Sequence, residues 1–239
     1  MPKNRFKDQL ATVGLLILAS SARCSVAAED PTDEAFLASI LQVEFDQHLS
    51  EDTDLTIDPA RQLSVERCEA VLRELRPGAV SVFAVGHEGW ARIFDAALPP
   101  HPALSQDTLA IWRQACSRTG TPMYVYISSL INYKLNHEHS EYARQFSNGG
   151  VAPQRLDHNS DYVSQCLIPF IETILQRYHP EGIWLDGDFW SIFPSWNPAS
   201  VRLFKAETGL AAPKDFGDKN FPAFWRFTID SHADYMHRL

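Results

Sequence analysis

Gly182-Ile183-Trp184-Leu185-Asp186-Gly187-Asp188-Phe189-Trp190 is the most informative segment of this chain. Its first four residues are apolar without alternation and are bounded by turn residues, a pattern that predicts a short buried strand. Residues 162–178 before it place apolar side chains at helical spacing, and Pro180 ends that pattern. A helix, a turn and a strand that ends in acids are typical of one repeat of a parallel α/β fold, where functional side chains lie at the carboxyl ends of strands.

Two carboxylates and two indoles at the end of this strand point to a sugar ligand. Because side chains alternate along a strand, Asp186 and Asp188 are expected on the same face. A sugar offers hydroxyls to such carboxylates and apolar ring faces to the indoles of Trp184 and Trp190. Taken alone, an Asp-Gly pair after a strand is also explained as a turn, and an aspartate there as a helix N-cap. The aromatic neighbours favour the functional interpretation.

Three further segments, residues 40–46, 79–85 and 123–128, have the apolar and β-branched composition of strands, and each ends in polar or aromatic residues. Glycines on either side of His87-Glu88 let the backbone turn tightly and present both side chains, although a histidine that caps a turn is the alternative. Together the four strands supply the predicted substrate-binding residues, which are Asp46, His48, His87, Glu88, Trp90, Tyr126, Ser128, Trp184, Asp188 and Trp190.

Helical patterns occupy residues 64–75, 107–118, 162–178, 198–208 and 224–239. Ser64 is a suitable N-cap for the first of them. Residues 136–159 contain several histidines and acids, from which a metal site could be drawn. No two of them share a tight HxH or HExxH context on a convincing helix, so a solvated loop is the preferred interpretation. We predict no metal site and no cofactor.

The four βα units predict the fold class. A closed (β/α)8 barrel of the TIM type has eight strands and about 250 residues, whereas the residues of this chain form only four to five βα units. We therefore expect the N-terminal part of such a barrel, a truncated barrel that requires more chain or the self-association of two halves. A complete four-stranded open α/β domain is the alternative.

The N-terminus has the layout of a secretory signal peptide. Basic residues at 3, 5 and 7 precede an apolar run over 10–19, and small residues lead to Ala28. The run is too short to span a bilayer comfortably, although a short membrane anchor is the alternative. We predict a signal peptide at 1–28, a catalytic domain at 29–239, a secreted or periplasmic location, and no stable membrane span after cleavage.

The charge and the cysteines exclude several functional classes. A net charge of −9 argues against nucleic acid as a partner. Cleavage after Ala28 leaves three cysteines at wide spacing, which form neither a zinc cluster nor a disulfide framework. Cys68 and Cys166 lie in helical patterns and are expected to be buried. One disulfide could form after export, and its pairing stays open.

Three of these segments resemble one family. Residues 182–187 resemble the nucleophile strand of the α-L-fucosidase-like glycoside hydrolases, which carries a Trp-x-Asp-Gly motif. Residues 86–90 resemble the family's His-Asp-Gly-Phe segment, and Tyr124 to Ser129 resemble its Tyr-x-Ser strand. Uncharacterised bacterial proteins related to these fucosidases are similar also over Leu104 to Arg113. The resemblance covers most of residues 40–239.

The resemblance implies roles for several residues. Asp186 would be the catalytic nucleophile, and His48, His87, Tyr126 and Trp184 would line the sugar subsite. The family's general acid/base comes from a later part of the chain, so we expect it beyond Leu239. The chain departs from the family because Val85-Gly86 precede His87, Glu88 stands at the position of the acid, and the first strand lacks a His-Trp-Gly ending. These departures leave the sugar specificity open.

Three functional hypotheses follow. The first is an exported, retaining, α-L-fucosidase-like glycosidase that acts on terminal sugars of glycans, with Asp186 as nucleophile and Asp188 binding a hydroxyl or orienting a neighbour. The second is a non-catalytic carbohydrate-binding α/β protein. The third is a metal-dependent hydrolase that uses residues 46, 48, 87, 186 and 188.

Overall fold

A four-stranded parallel sheet forms the centre of the protein. A computed structural model describes residues 42–46, 54–187 and 192–239, all of which belong to one unit that spans Ser39–Leu239. In chain order the strands are β1 (Gln42–Glu44), β2 (Ala79–Val85), β3 (Met123–Ser128), β4 (Ala143–Gln145), β5 (Val151–Leu156) and β6 (Gly182–Asp186). The sheet has the order β1-β2-β3-β6 with every pair parallel. The strands predicted at 79–85 and 123–128 are confirmed, and the one predicted at 182–185 extends to Asp186. The strand predicted at 40–46 is found over 42–44, and residues 40 and 41 lie outside the described residues.

Capping residues mark the bounds of several of the six described helices. They are α1 (Val65–Leu75), α2 (Thr108–Thr119), α3 (Tyr133–Glu138), α4 (Ile168–Tyr178), α5 (Pro198–Thr208) and α6 (Phe221–Arg238), and a π-helical turn over Val163–Leu167 leads into α4. Ser64 and Asp107 accept hydrogen bonds from the free backbone N–H groups of α1 and α2. Gly120 and Gly209 end α2 and α5 at positive φ, which a glycine adopts without a steric penalty. α3 was not predicted.

The main core lies between the sheet and the helices α1, α2 and α4. Every residue of β2 is buried, α1 packs on α2, and α2 packs on β2, β3 and α4. Cys68 and Cys116 are part of this core, where burial raises the pKa of their thiols to about 11 and about 12. All three cysteines of the described part of the chain are free thiols. Cys166 is only partly buried, contrary to the prediction, because it lies in the π-helical turn beside Tyr142.

The prediction that the strand at 182–185 is buried is wrong. Ile183 and Leu185 are partly buried and Trp184 is 45% exposed. The physical reason is the position of β6, since among the described strands it pairs only with β3 and lies at an edge of the sheet. The apolar run without alternation therefore predicted the strand correctly but predicted its burial incorrectly.

The prediction of a solvated loop over 136–159 is also wrong. The segment holds the end of α3 and an antiparallel hairpin of β4 and β5, with Ala143 paired to Leu156. Both strands are short, and Pro153 within β5 weakens the strand signal because proline cannot donate to a ladder.

A buried group of polar side chains follows this hairpin and is called the polar junction below. Its members are Asp157, His158, Ser200, Ser231 and His232. They connect the end of β5 with α5 and α6. Beside them, Phe204, Phe224 and Phe227 form a second apolar cluster.

These elements give a mixed α/β fold with a parallel sheet; the truncated barrel stays a prediction. In the described part of the chain no helix is long and apolar enough to cross a bilayer. The predicted signal peptide at 1–28 and three predicted site residues, His48, Asp188 and Trp190, lie outside the described residues.

Candidate functional site

Asp186 is the last residue of β6, and two donors hold its carboxylate. Tyr126 Oη donates to Oδ2 at 2.5 Å, and the backbone N–H of Gly187 donates to Oδ1 at 2.6 Å. Hydrogen bonds to both oxygens fix the orientation of the carboxylate. The side chain remains 29% exposed, so a ligand can reach it. Gly187 is needed for this geometry because its φ is 92° and an added Cβ would lie 3.0 Å from Ile131.

Tyr126 is a buried and permanently protonated donor. Its ring stacks on Phe83 with centroids 4.0 Å apart and is 2% exposed. Burial, and then the hydrogen bond and charge of Asp186, raise the pKa of the phenol far above its usual value. The phenol therefore presents its proton to Asp186 at every pH at which the protein would function.

His87 lies after β2 and is oriented by Ser128 of β3. Ser128 Oγ donates to the carbonyl oxygen of Ile131 at 2.7 Å and lies 2.7 Å from His87 Nδ1. Because the hydroxyl has only one proton, Ser128 must accept from His87 Nδ1–H. The other ring nitrogen, Nε2, faces Asp186 Oδ2 at 3.7 Å, and the side chain is 23% exposed.

The parallel register explains why these residues meet. Ser128 pairs with Asp186 and Tyr126 pairs with Trp184 across β3 and β6. The indole of Trp184 is largely exposed, and its centroid lies 6.3 Å from that of Tyr126. Asp46 is exposed beyond β1, and its negative charge contributes to the raised pKa of Tyr126, after burial and Asp186. The structure thus brings most of the described predicted residues to one edge of the sheet.

Glu88 has a different environment from the one expected of a sugar ligand. It forms a buried ion pair with Arg92, with Oε1 and Nη2 2.7 Å apart. Burial lowers the pKa of Arg92, and the charge of Glu88 opposes this effect. The carboxylate folds over Gly86, where an added Cβ would lie 2.3 Å from Glu88 Oε2. Breaking such a pair would leave a charge buried, so Glu88 stabilises the turn after β2.

Trp90 lines a pocket instead of the surroundings of Asp186. Lys134 Nζ lies 4.3 Å from the centroid of its ring, a cation–π contact. The pocket has a volume of about 640 Å³. It lies between the turn after β2, α3 and β5, and we call it the α3–β5 pocket; the described residues that line it are Leu55, Glu88, Trp90, Tyr133, Lys134, Asn136, His137, Glu138, Ser140, Val151, Pro153 and Gln154.

Sequence reasoning missed the residues that hold the site's backbone. Ser129 donates from its N–H and its Oγ to the carbonyl of Asp186 at 2.8 and 2.7 Å. Tyr133 N–H donates to the carbonyl of His87 at 2.8 Å. Gly89, at φ 87°, makes room for Asn132, the N-cap of α3. The only signal for these contacts was the Ser-Ser pair directly after a predicted strand.

No group of three or more His, Cys, Asp or Glu side chains within the described ranges is placed to hold a metal ion. The set proposed for a metal-dependent hydrolase includes residues 48 and 188, which lie outside those ranges. That hypothesis therefore stays a prediction.

The fold of this chain is found among solved structures of other proteins. No protein-family model and no curated protein matches the sequence. Among solved structures, the chain is similar to alpha-L-fucosidase isoenzyme 2 from Paenibacillus thiaminolyticus, with a TM-score of 0.68 and 23% identity over 83% of this chain and 29% of that one. The chain has an α-L-fucosidase-like fold. It spans less than a third of the length of the Paenibacillus enzyme.

Two weaker similarities with this fold are too distant to support an argument. Alpha-L-fucosidase AlfC from Lactobacillus casei, solved with an alpha-L-fucose product, has a TM-score of 0.46 and 12% identity over 66% of this chain and 61% of that one. The alpha-L-fucosidase from Vibrio sp. strain EJY3 has a TM-score of 0.45 and 16% identity over 65% of this chain and 26% of that one.

Proposed function

We propose that the protein is an exported glycoside hydrolase that removes terminal sugars from glycans by a retaining, α-L-fucosidase-like mechanism. The observation that carries this proposal is the carboxylate of Asp186, which ends a strand, accepts hydrogen bonds at both oxygens and remains accessible. The fucosidase-like fold supports it.

In this mechanism Asp186 attacks the anomeric carbon and forms a glycosyl-enzyme ester, while a second carboxyl group protonates the departing oxygen. Tyr126 and Gly187 N–H hold the carboxylate in position before the attack. Water then cleaves the ester, and the second carboxyl group acts as base. Glu88 is unsuited to the second role because it is paired with Arg92.

The neighbours of Asp186 would bind the sugar. His87 Nε2 faces the same carboxylate oxygen as Tyr126 and can bond to a hydroxyl of a ring seated there. Trp184 offers an exposed apolar face. Asp46 is placed to accept from a hydroxyl at the rim, and Asp188, His48 and Trp190 complete the proposed set.

Nucleophile replacement in the full-length protein tests the mechanism. Asp186→Gly should abolish hydrolysis of 4-nitrophenyl α-L-fucoside, and added azide should restore release of nitrophenol by filling the space of the carboxylate. The product would be a fucosyl azide of inverted configuration, identified by NMR. An unchanged kcat in the variant, or rescue without a glycosyl azide, would contradict the assignment. Asp161→Gly, which alters an exposed aspartate, is the control.

A non-catalytic carbohydrate-binding protein is the second candidate. The exposed indole of Trp184 beside an accessible carboxylate would serve a binding protein equally well. This candidate predicts a measurable affinity for L-fucose by calorimetry and no hydrolysis of any aryl glycoside.

A further inference from the structure

The α3–β5 pocket adjoins the candidate catalytic site but does not contain it. Tyr133 connects the two, because its N–H donates to the carbonyl of His87 and its ring centroid lies 6.4 Å from that of His87. His87 in turn faces Asp186. The pocket therefore begins one side chain away from the site of the proposed bond cleavage. Its volume of about 640 Å³ is in the range of pockets that bind small ligands.

The walls of the pocket carry charges that are already paired. Lys134 Nζ lies 2.5 Å from both carboxylate oxygens of Glu138, and Glu88 is paired with Arg92. An anionic ligand would have to compete with Glu138 for Lys134, and a cationic one would have to compete with Arg92 for Glu88. The charged lining thus favours an uncharged ligand.

The remaining lining combines apolar surface with a few polar groups. Tyr133, Val151 and Pro153 provide apolar or aromatic surface, while Asn136 and Gln154 provide amides. This combination suits a sugar ring, which has apolar faces and a rim of hydroxyls.

One backbone feature marks the pocket as more than a surface depression. Gln154 has φ 64°, which is uncommon for a residue other than glycine and costs on the order of 1 kcal/mol. The conformation is held by the hydrogen bond from Asn132 N–H to the Gln154 carbonyl at 3.0 Å. Such strain concentrates at ligand-binding sites.

We propose that the α3–β5 pocket binds a neutral sugar of the leaving group. The substrate is then a fucosylated di- or oligosaccharide of uncharged sugars, with the terminal residue at Asp186 and the next residue in the pocket. This inference rests on the proposed function, because it takes Asp186 as the point of cleavage.

The test compares two substrates in the full-length protein. The wild type should hydrolyse a fucosyl-N-acetylglucosamine disaccharide with a kcat/KM about tenfold above that for methyl α-L-fucoside, which corresponds to about 1.4 kcal/mol. Val151→Trp, which fills the pocket from an exposed position of β5, should reduce that ratio to about one. Phe146→Trp adds an indole to an exposed residue outside the pocket lining and should leave the ratio unchanged. A disaccharide sulfated on N-acetylglucosamine should show no advantage over the methyl glycoside.

The outcomes separate the two proposals. Hydrolysis of both substrates at a ratio of one, or a ratio unaffected by Val151→Trp, overturns the pocket assignment and leaves the hydrolase standing. If neither substrate is hydrolysed, calorimetry measures the affinity of the protein for the unsulfated disaccharide. Binding of the disaccharide that is weakened by Val151→Trp would support the pocket and refute the hydrolase. Absence of binding would refute both proposals.

Discussion

The edge of the sheet around Asp186 and the polar junction both collect acids, histidines and serines, yet their environments are opposite. Asp186 and His87 keep 29% and 23% of their side chains exposed, and His87 Nε2 faces Asp186 Oδ2 at 3.7 Å. Asp157 and His158 are 1% and 3% exposed. Ser200 Oγ donates to Asp157 at 2.8 Å, and His158 Nε2 lies 2.9 Å from Ser231 Oγ. Two carboxylates that are both held by donors therefore differ in whether a ligand can reach them, and residue type alone does not reveal this difference.

The sharpest test of this contrast is the same substitution in both regions. Asp186→Ala should lower kcat by at least about 10³-fold, since the proposed nucleophile is removed. Its free energy of unfolding should change by less than about 1 kcal/mol because the site is open to water. Activity assays and urea titrations of the purified variants measure both quantities. Retained activity would place Asp186 in the same structural class as Asp157.

Asp157→Ala should have the reverse effect. It leaves the Ser200 hydroxyl and the Asn159 N–H without their buried acceptor, which should lower the free energy of unfolding by about 3 kcal/mol. The activity of the molecules that remain folded should be unaffected. Urea denaturation is the measurement, and Asp161→Ala, on the surface four residues away, is the control. A wild-type unfolding curve for Asp157→Ala would contradict the structural role.

The histidines of the polar junction predict a pH dependence of stability. Burial lowers the pKa of His158 to about 4, and the charge of Arg238 adds to the effect; burial and His158 lower the pKa of His232 to about 4. Since both folded values lie below the unfolded value of about 6.5, their contribution is complete above pH 6.5 and is lost as the pH falls from 6.5 through 4. Each histidine should contribute a loss on the order of 2 kcal/mol at pH 4.5, which is observed as a lower melting temperature.

The variant His232→Phe identifies the source of this loss. It removes one imidazole and should make the melting temperature less dependent on pH between 6.5 and 4.5. Burial raises the pKa of Asp157, so its contribution has the opposite sign and grows as the pH falls. An identical pH dependence in wild type and variant would show that surface carboxylates cause the effect.

The smallest expected effect concerns the donor to Asp186. Tyr126→Phe removes the hydroxyl that bonds Oδ2 but keeps the ring stacked on Phe83. We expect kcat to fall about tenfold, because one hydrogen bond to a charged group is lost, with little change in melting temperature. Steady-state kinetics measure the change, and Tyr142→Phe, at a tyrosine outside the site, is the control. An equal loss in both variants would remove Tyr126 from the mechanism.

The sequence predicted an element correctly where a continuous apolar run marked a strand or a capping residue marked the start of a helix. β2 and β3 are buried on both faces and read as continuous apolar runs, and Ser64 and Asp107 marked helix starts through local hydrogen bonds. The convergence of Asp186, Tyr126, Ser128 and His87 was predictable because parallel strands bring their carboxyl ends together.

The rest depends on contacts that are remote in sequence. Whether β6 is covered depends on its neighbouring strands, so its composition could not reveal that Trp184 is exposed. The polarity of Asp157 and His158 suggested a loop, because two of the partners that satisfy them when buried, Ser200 and Ser231, lie more than 40 residues later in the chain. Glu88 was interpreted as a ligand because Arg92 gave no sign that it would be buried beside it.

The hydroxyl of Ser128 also decides which nitrogen of His87 a ligand meets. Since Ser128 gives its proton to the carbonyl of Ile131 and accepts the one on His87 Nδ1, that nitrogen is engaged within the protein. Nε2 is the nitrogen that faces Asp186 Oδ2, at 3.7 Å, and Tyr126 Oη donates to the same oxygen. A hydroxyl that enters beside this oxygen therefore meets Nε2 of the imidazole and the phenol of Tyr126, and the orientation of both is fixed by residues behind them.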